Sequence, residues 1–525
     1  MASDQREFVL TDAAGAGSDV LQTLTAAGPE TLSWANGGAL RSWRRIWLDT
    51  FDWRLYRAGL TLEQVRSGSG QAELVLTGRD GAIVATERLP AASKPEWPRL
   101  AAELPAGPLQ AALEPVSGLR ALAPVARAVS KLAQFQALND DAKTIARLAV
   151  DRVSVTYPAR AVLPARLTLV PVRGYQAQAA RVGRAIGSLP GVRAGRDSVL
   201  EAVLAAAGGQ PGEVAGKPSG LQLTPGMPAG RALSQILSGL LDAMEANVPG
   251  TLKDIDTEFL HDLRVAVRWT RSALKLCGDA LPRGLAREYA PEFRWLGDLT
   301  TPTRDFDVFL LGYPAMAASL VGADADELIP FRDHLARSRA AAYRRMVAGL
   351  RSARFARLRT NWRAALADVR GTRRPTVAQL ADAKIAAAHR RALLGGGKIT
   401  AASPPESLHD LRKRCKELRY LVEMFGSLHD PAQRWQAMRE LKALQDCLGE
   451  FQDTEVQRME IRGYAAQMMA ERAAPAETLL AMGEIAARLA VAQATARAQF
   501  DGRFADFAGP ASRRRMAALA RTAAA

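Results

Sequence analysis

Cysteine is scarce in this chain. Three occur in 525 residues, Cys277, Cys415 and Cys447, at spacings that fit neither a disulfide framework nor a zinc ligand set, and the scarcity points to a reducing, cytoplasmic setting. Aromatic residues make up 6% of the chain, and no stacking platform or recognised base-reading module is visible, so base readout is unsupported. No apolar run reaches the ~18 residues of a spanning helix, and Met1 to Glu7 lacks a basic segment followed by an apolar one. Neither secretion nor membrane insertion is expected. Nucleotide-phosphate loops are missing as well. Gly212 to Pro218 and Gly397-Lys398-Ile399 have the wrong spacing and lack the Ser or Thr such a loop requires.

Basic residues, by contrast, are in excess. Lys and Arg total 70 against 54 Asp and Glu, a formal net charge of +16, which attracts polyanions or anionic surfaces. Residues 231–525 hold 45 basic and 34 acidic side chains, whereas residues 1–230 hold 25 and 20. Between 331 and 374 there are thirteen Arg and two acids, Asp333 and Asp368. The anion-binding half is therefore expected to be the C-terminal one.

Glycine and proline mark the organisation. In 208–230 eleven of 23 residues are Gly or Pro, which reads as a linker. Upstream, in 1–207, Glu73–Thr77, Val153–Tyr157 and Arg166–Val172 read as strands between Gly and Pro residues, interleaved with helical stretches around 119–138 and 175–206, so this half is α+β. Downstream, apolar residues recur at helical spacing. A second Gly/Pro cluster at 395–405 divides that half into two expected helical bundles, 231–394 and 406–510, and leaves 511–525, with Arg513 to Arg515, as a basic, disordered tail.

The helical half contains a duplication. Leu260-His261-Asp262-Leu263-Arg264 recurs 148 positions on as Leu408-His409-Asp410-Leu411-Arg412, and the same offset pairs Arg268 with Lys416, Arg271 with Arg419, Leu296 with Leu444, Asp298 with Asp446, Asp305 with Asp453 and Val308 with Val456. On a helix at 100° per residue, with His261 at zero, Arg264, Arg268, Arg271 and Lys275 fall at about −60°, −20°, −80° and −40°. Leu260, Leu263, Val267 and Leu274 lie alongside, between about −100° and −160°, as the stripe that faces a core. The second copy sets His409, Arg412, Lys416 and Arg419 beside Leu408, Leu411, Cys415 and Val422, with no acid on the cationic stripe until Glu423. Such stripes repeat every ~5–6 Å and suit a linear polyanion. A lone basic stripe is more often a solvated helix face; the in-register duplicate weighs against that. His261 and His409 have no second ligand at metal spacing beyond the adjacent Asp.

Residues 260–271, 296–308, 408–420 and 444–453 closely resemble the CHAD domain, a helical domain with characteristic histidines, over roughly 230–510. The resemblance implies two helical bundles related by a pseudo-twofold axis, whose basic helices meet at a channel that binds inorganic polyphosphate. It assigns the lining to His261, Arg264, Arg268, Arg271, His409, Arg412, Lys416 and Arg419; Lys275, Lys413 and Tyr420 on the same helices are expected to join them, and Asp305 and Asp453 read as orienting groups. Trp47 to Leu62 and Val170 to Tyr175 resemble, less closely, the CYTH fold of triphosphate tunnel enzymes, which implies a degenerate antiparallel barrel. There the family's opening Glu-x-Glu-x-Lys is reduced to Glu7-Phe8-Val9-Leu10, its Arg-x-Arg strand to Glu63-Gln64-Val65, and its Glu-x-Glu pair is replaced near Leu167-Thr168-Leu169. Without paired carboxylates a triphosphate's metal has no ligands.

These readings predict a non-enzymatic, cofactor-free polyphosphate binder on cytoplasmic polyphosphate granules, with no membrane partner. The alternatives are a metal-dependent triphosphatase or polyphosphatase using the N-terminal domain, and a non-specific nucleic-acid binder.

Overall fold

A computed structural model of the chain describes residues 6–10, 33–68, 70–90, 96–195, 197–212, 222–370 and 375–521. The chain divides into two compact units, Met1–Val214 and Ala215–Ala525.

The described strands of the first unit are β1 (Arg6–Leu10), β2 (Ser33–Asn36), β3 (Arg41–Thr50), β4 (Leu60–Ser67), β5 (Ala72–Gly78), β6 (Ile83–Arg88), β7 (Leu122–Leu138), β8 (Thr144–Tyr157), β9 (Ala161–Val162), β10 (Arg166–Pro171) and β11 (Val192–Ala194). They form one antiparallel sheet in the order β11-β1-β10-β8-β7-β3-β4-β5-β6, with β2 against β7 and β9 against β8. Strand side chains alternate between faces, and helices cover both. Leu48, Leu62 and Leu74 are buried with Leu109 and Leu113 of the helix Pro108–Ser117. The neighbouring positions point the other way, so Trp47 packs with Ala126, Val153 and Val203 of the helix Val199–Ala205. Leu148, Leu167 and Leu169 pack against Val182 and Ile186 of the helix Gln176–Gly187.

One sequence expectation fails in this unit. The Ala-rich stretch 119–138 reads as helix but forms β7, which pairs with β3 along one edge and with β8 along the other. Alanine's helix propensity is worth tenths of a kcal/mol per residue, and two ladders of backbone hydrogen bonds outweigh it.

The second unit is all helical among its described residues. Its helices are α1 (Ala229–Lys253), α2 (Thr257–Cys277), α3 (Leu285–Ala318), α4 (Ile329–Leu350), α5 (Ala353–Ala367), α6 (Val377–Gly396), α7 (Pro405–Met424), α8 (Pro431–Ala470), α9 (Ala476–Ala508) and α10 (Pro510–Leu519). The first residues of α1 and α6 are 148 apart (377 − 229), as are those of α2 and α7 (405 − 257), while α3 and α8 start 146 apart and α4 and α9 147 apart. The register thus runs through four helices per repeat, and a fifth follows in each, α5 and α10, whose starts are 157 apart (510 − 353). Within each repeat, first packs on second, second on third and third on fourth, and the fifth returns to the first. Between repeats α1 touches α6, α2 touches α7 and α4 touches α9, so three of the five helices meet their own equivalents. A twofold relation produces contacts of this kind.

This arrangement moves the expected boundaries. The Gly/Pro cluster at 395–405 is the turn between the first two helices of repeat two, equivalent to the turn at 254–256, and the junction between repeats falls at 368–376. A turn-forming composition marks a change of direction and says nothing of domain membership. Nor is 511–525 a tail throughout: 510–519 is the helix α10, with Met516 and Leu519 buried in the core, and 522–525 lie outside the described residues. Of the linker expected at 208–230, residues 213–221 lie outside them too. Finally, α9 is by length and composition able to cross a membrane. Its charged Glu484, Arg488 and Arg497 hide this from a count of uninterrupted apolar residues. It packs along α8, burying Met482, Ile485, Phe500 and Phe507.

The two expected bundles share one core. A continuous cluster runs from Leu223 to Leu519 and includes Leu263 and Val267 of α2 as well as Leu411 and Cys415 of α7. A smaller one joins Phe309, Phe331 and Leu335 of repeat one to Ile461, Met468 and Ile485 of repeat two. Trp362 is fully buried, with ring centroids of Tyr289 and Phe293 at 4.6 and 5.6 Å. Replacing Trp362 with Ala is expected to cost about 3–5 kcal/mol. In urea the helical unit should then unfold earlier but still in one transition, because the repeats share a core. Separate transitions for the two repeats would show independent cores.

Candidate functional site

The apolar stripes of α2 and α7 are buried, as their spacing requires: Leu260, Leu263, Val267 and Leu274 on one helix, Leu408, Leu411, Cys415 and Val422 on the other. Asp256 caps α2, accepting from the backbone N–H of Glu258 at 3.0 Å and Phe259 at 3.1 Å. Because the cationic stripe adjoins the buried one, packing α2 against α7 brings the cations of both repeats together.

In repeat one, Arg264 lies partly buried against α3. Its Nη1 donates to the Gly297 carbonyl at 3.1 Å and to the hydroxyls of Thr300 and Thr301, both at 2.9 Å. Burial pushes its pKa down to about 10, with Asp305 opposing and Arg268, Arg304 and Arg271 adding to the fall. Arg268 and Arg271 are exposed. Neither has a carboxylate within ion-pair distance among the described residues. Arg271 lies over Gly297, where an added Cβ would come 2.8 Å from its Nη1. Burial holds the His261 imidazole below its usual pKa, helped by Arg304 and Arg268 against the pull of Glu258 and Asp262. Burial likewise raises the Asp305 carboxyl, while Arg264 and Arg304 oppose it.

In repeat two the same positions are held differently. Arg412 Nη2 donates to Asp453 Oδ1 at 2.9 Å. Arg419 Nε lies 3.4 Å from Glu423 Oε1 and its Nη1 3.5 Å from Gln445 Oε1. His409 Nδ1 donates to Gln452 Oε1 at 2.7 Å, leaving Nε2 as the nitrogen available to a ligand. Lys413 pairs with Asp410 at 3.3 Å on the exposed side of α7.

Three contacts tie the halves to each other. Trp269 and Tyr420 pack with ring centroids 5.7 Å apart. Lys275 Nζ donates to Glu417 Oε1 at 2.7 Å, and Glu417 also lies 3.6 Å from Arg391, so Lys275 serves the junction between repeats and its charge is partly neutralised there. Most telling is Lys416. Burial pushes its ammonium down to about 8, and Arg412, Arg268 and Arg419 push the same way against Asp453. Arg268 belongs to the other repeat. The two cationic stripes therefore share one field.

Of the third helices' contribution, sequence reasoning finds Asp305 and Asp453 but misses the rest. Arg304 acts on His261 while its equivalent Gln452 (304 + 148) bonds His409, and Gly297 makes room for Arg271 where its equivalent Gln445 (297 + 148) holds Arg419. The offset itself carries the signal, since both pairs adjoin or coincide with the aligned segments. Trp269 and the Thr300–Thr301 pair leave no sequence signature, because their role depends on how α2 sits on α3 and α7.

In the first unit, a parallel set of charges is internally paired. Arg45 bonds both oxygens of Glu63, and its Nη1 lies 3.3 Å from Asp151 Oδ2, which also accepts from Ser130 Oγ at 3.2 Å. Arg166 lies 3.6 Å from Glu7. Among the described residues no three His, Cys, Asp or Glu side chains stand close enough to share a metal ion.

Residues 235–462 match the family model of the CHAD domain. No curated protein matches the chain. Among solved structures, the CHAD domain of the plant Ricinus communis is similar at 24% identity, covering 54% of this chain and 94% of its own, with a TM-score of 0.46. PptA from Streptomyces chartreusis is similar at 17%, covering 53% and 99%, with a TM-score of 0.43. A putative adenylate cyclase from Bacillus halodurans is similar at 12%, covering 38% and 97%, with a TM-score of 0.26.

A depressed lysine has a signature in stability. Between pH 8 and the ordinary lysine pKa near 10.5, native Lys416 binds fewer protons than unfolded Lys416, so the protein should gain stability as pH rises through that window. Below about pH 8 both states are protonated and the penalty is constant. Subtracting the stability-pH curve of Lys416→Met from that of the parent isolates this gain. A flat difference curve would place Lys416 in an ordinary solvated setting.

Proposed function

We propose that the CHAD region binds inorganic polyphosphate without cleaving it, along the cationic face shared by α2 and α7, and that the protein associates in this way with cytoplasmic polyphosphate granules. The observation that carries the reading is the contact of α2 with α7, which sets Lys416, depressed first by burial, beside Arg412 and Arg419 of its own repeat and Arg268 of the other. Like charges gathered this closely are unfavourable in the empty protein. A linear chain carrying a charge on every phosphate relieves the repulsion at each point along the stripe. Arg264, Arg268, Arg271 and His261 would form one wall, and Arg412, Lys416, Arg419 and His409 the other. Nucleic acid would meet the same charges but no base-stacking surface there, because Trp269 and Tyr420 are occupied with each other.

The sheet domain supports a non-catalytic reading for a different reason. Glu63, Asp151 and Glu7 lie close to Arg45 and Arg166, so these carboxylates already have cations beside them, which disfavours their holding a metal ion as well.

Two measurements test this. Titration of long-chain polyphosphate against increasing salt should give a log–log slope of about −0.7 per phosphate contact, by analogy with single-stranded nucleic acid. Arg268→Glu with Arg271→Glu should weaken binding and flatten the slope with little change in melting, because both side chains are exposed. Equal affinity in the double variant would remove α2 from the site. Ligand should also raise the melting temperature, by the equivalent of about 2.7 kcal/mol at a hundredfold excess over Kd. Phosphate release from tripolyphosphate that depends on added magnesium or manganese would establish the catalytic alternative instead.

A further inference from the structure

Repeat two contains a cavity where repeat one is filled. In repeat one Arg339 of α4 donates to Asp307 at 2.6 Å and to the two oxygens of Asp254 at 2.7 and 2.6 Å. One turn on, the Tyr343 hydroxyl donates to the Leu252 carbonyl at 3.0 Å. The helix starts of α4 and α9 are 147 apart (476 − 329), which sets Ala486 and Ala490 at the places of Arg339 and Tyr343, and Asp254 gives way to Ala402 (254 + 148). None of these alanines can rebuild the network. A cavity of about 300 Å³ lies there instead, between the start of α7 and the facing sides of α8 and α9. Leu408, Phe451 and Ala490 give it an apolar wall, and Glu455, Arg458 and Arg497 bring charge to it.

These charged groups do not pair with one another. Glu455, in the place of Asp307 (307 + 148), has no cation at ion-pair distance among the described residues, and Arg458 has no carboxylate there. Arg497 donates through Nη2 to the carbonyls of Thr400, Ala401 and Ser403, which fix its position without neutralising it. We propose that the cavity binds a small zwitterion with an apolar substituent, of the class of the aliphatic and aromatic α-amino acids. Its carboxylate meets Arg458 and Arg497, its ammonium meets Glu455, and its side chain lies against Leu408 and Phe451. An apolar enclosure with a few charged groups that fix orientation is the usual make-up of a small-molecule site, and hydrogen bonds between ionised partners are the stronger kind. A simple anion would leave Glu455 opposed to it, and a simple cation would face two arginines. Polyphosphate fits poorly for the first reason and gains nothing from the apolar wall. The proposal is independent of the polyphosphate reading.

Calorimetric titration of the full chain with L-leucine and L-phenylalanine tests it. N-acetyl-L-leucine, which lacks the ammonium, and L-leucinamide, which lacks the carboxylate, serve as comparisons. L-leucine should bind about tenfold more tightly than either, the loss expected for one charged hydrogen bond. Glu455→Gln should remove the preference for L-leucine over N-acetyl-L-leucine and keep the preference over L-leucinamide, a split that a loss of packing would not produce. Ala490→Tyr restores the side chain of repeat one and should abolish binding. If that variant does not fold, Ala494→Met fills the same cavity from the next turn of α9 and should weaken binding likewise. Failure of both amino acids to bind at millimolar concentration, equal affinity for either comparison compound, or undiminished binding in the folded filled variant overturns the proposal.

Discussion

Leu263 and Leu411 have to be buried, and burying them sets the terms for everything around them. Each apolar side chain taken from water contributes about 1.5–3 kcal/mol, and the stripes of α2 and α7 supply eight such positions to the shared core. The cations on the shoulders of those stripes are carried along. Burial, with Arg412, Arg268 and Arg419 beside it, pushes the Lys416 ammonium down to about 8, and this unfavourable setting is held in place by the apolar burial next to it. The fold can therefore hold a concentration of positive charge that no local interaction favours.

Symmetry of scaffold does not bring symmetry of chemistry. Four helix pairs keep an offset of 146 to 148 residues, and three of them meet across the junction, yet the side chains filling equivalent places differ. A glycine clears space for one arginine and a glutamine holds the other; an arginine stands beside one histidine and a glutamine amide bonds the other. Arg268 and Arg271 of repeat one are thus exposed with no carboxylate at ion-pair distance among the described residues, whereas Arg412 and Arg419 of repeat two are held by Asp453, Glu423 and Gln445. The backbone supplies the meeting of the two faces, and its substitutions set how strongly each face attracts an anion.

The amino-acid sequence by itself carries much of this arrangement. The 148-residue register locates both cationic stripes and both apolar ones, because helical periodicity fixes which residues share a face. It also pairs Asp305 with Asp453, and Asp453 does hold Arg412. Outside the aligned motifs, however, side chains diverge enough to hide how far the register extends. The Gly/Pro cluster at 395–405 therefore resembles a domain boundary, although the helix starts show that it lies inside repeat two. The strand β7 resembles a helix because alanine-rich composition says nothing of the partners on either edge. The diversion of Lys275 to Glu417 is equally hidden, since it depends on contacts between repeats that no single helix encodes.

Contacts of like with like have a consequence for how sequence can vary. A surface in which α1 meets α6, α2 meets α7 and α4 meets α9 would serve as well between two separate copies of one repeat as within a single chain. In such a homodimer every substitution appears twice, so an opening at one glycine position opens its mate too, and a carboxylate placed against one arginine is placed against both. Covalent joining lifts that restriction. Gly297 opposite Gln445, Arg304 opposite Gln452 and Lys275 opposite Glu423 are combinations that only a fused pair can carry. The peptide between α5 and α6 thereby gives the site two ends that differ, and with them a direction.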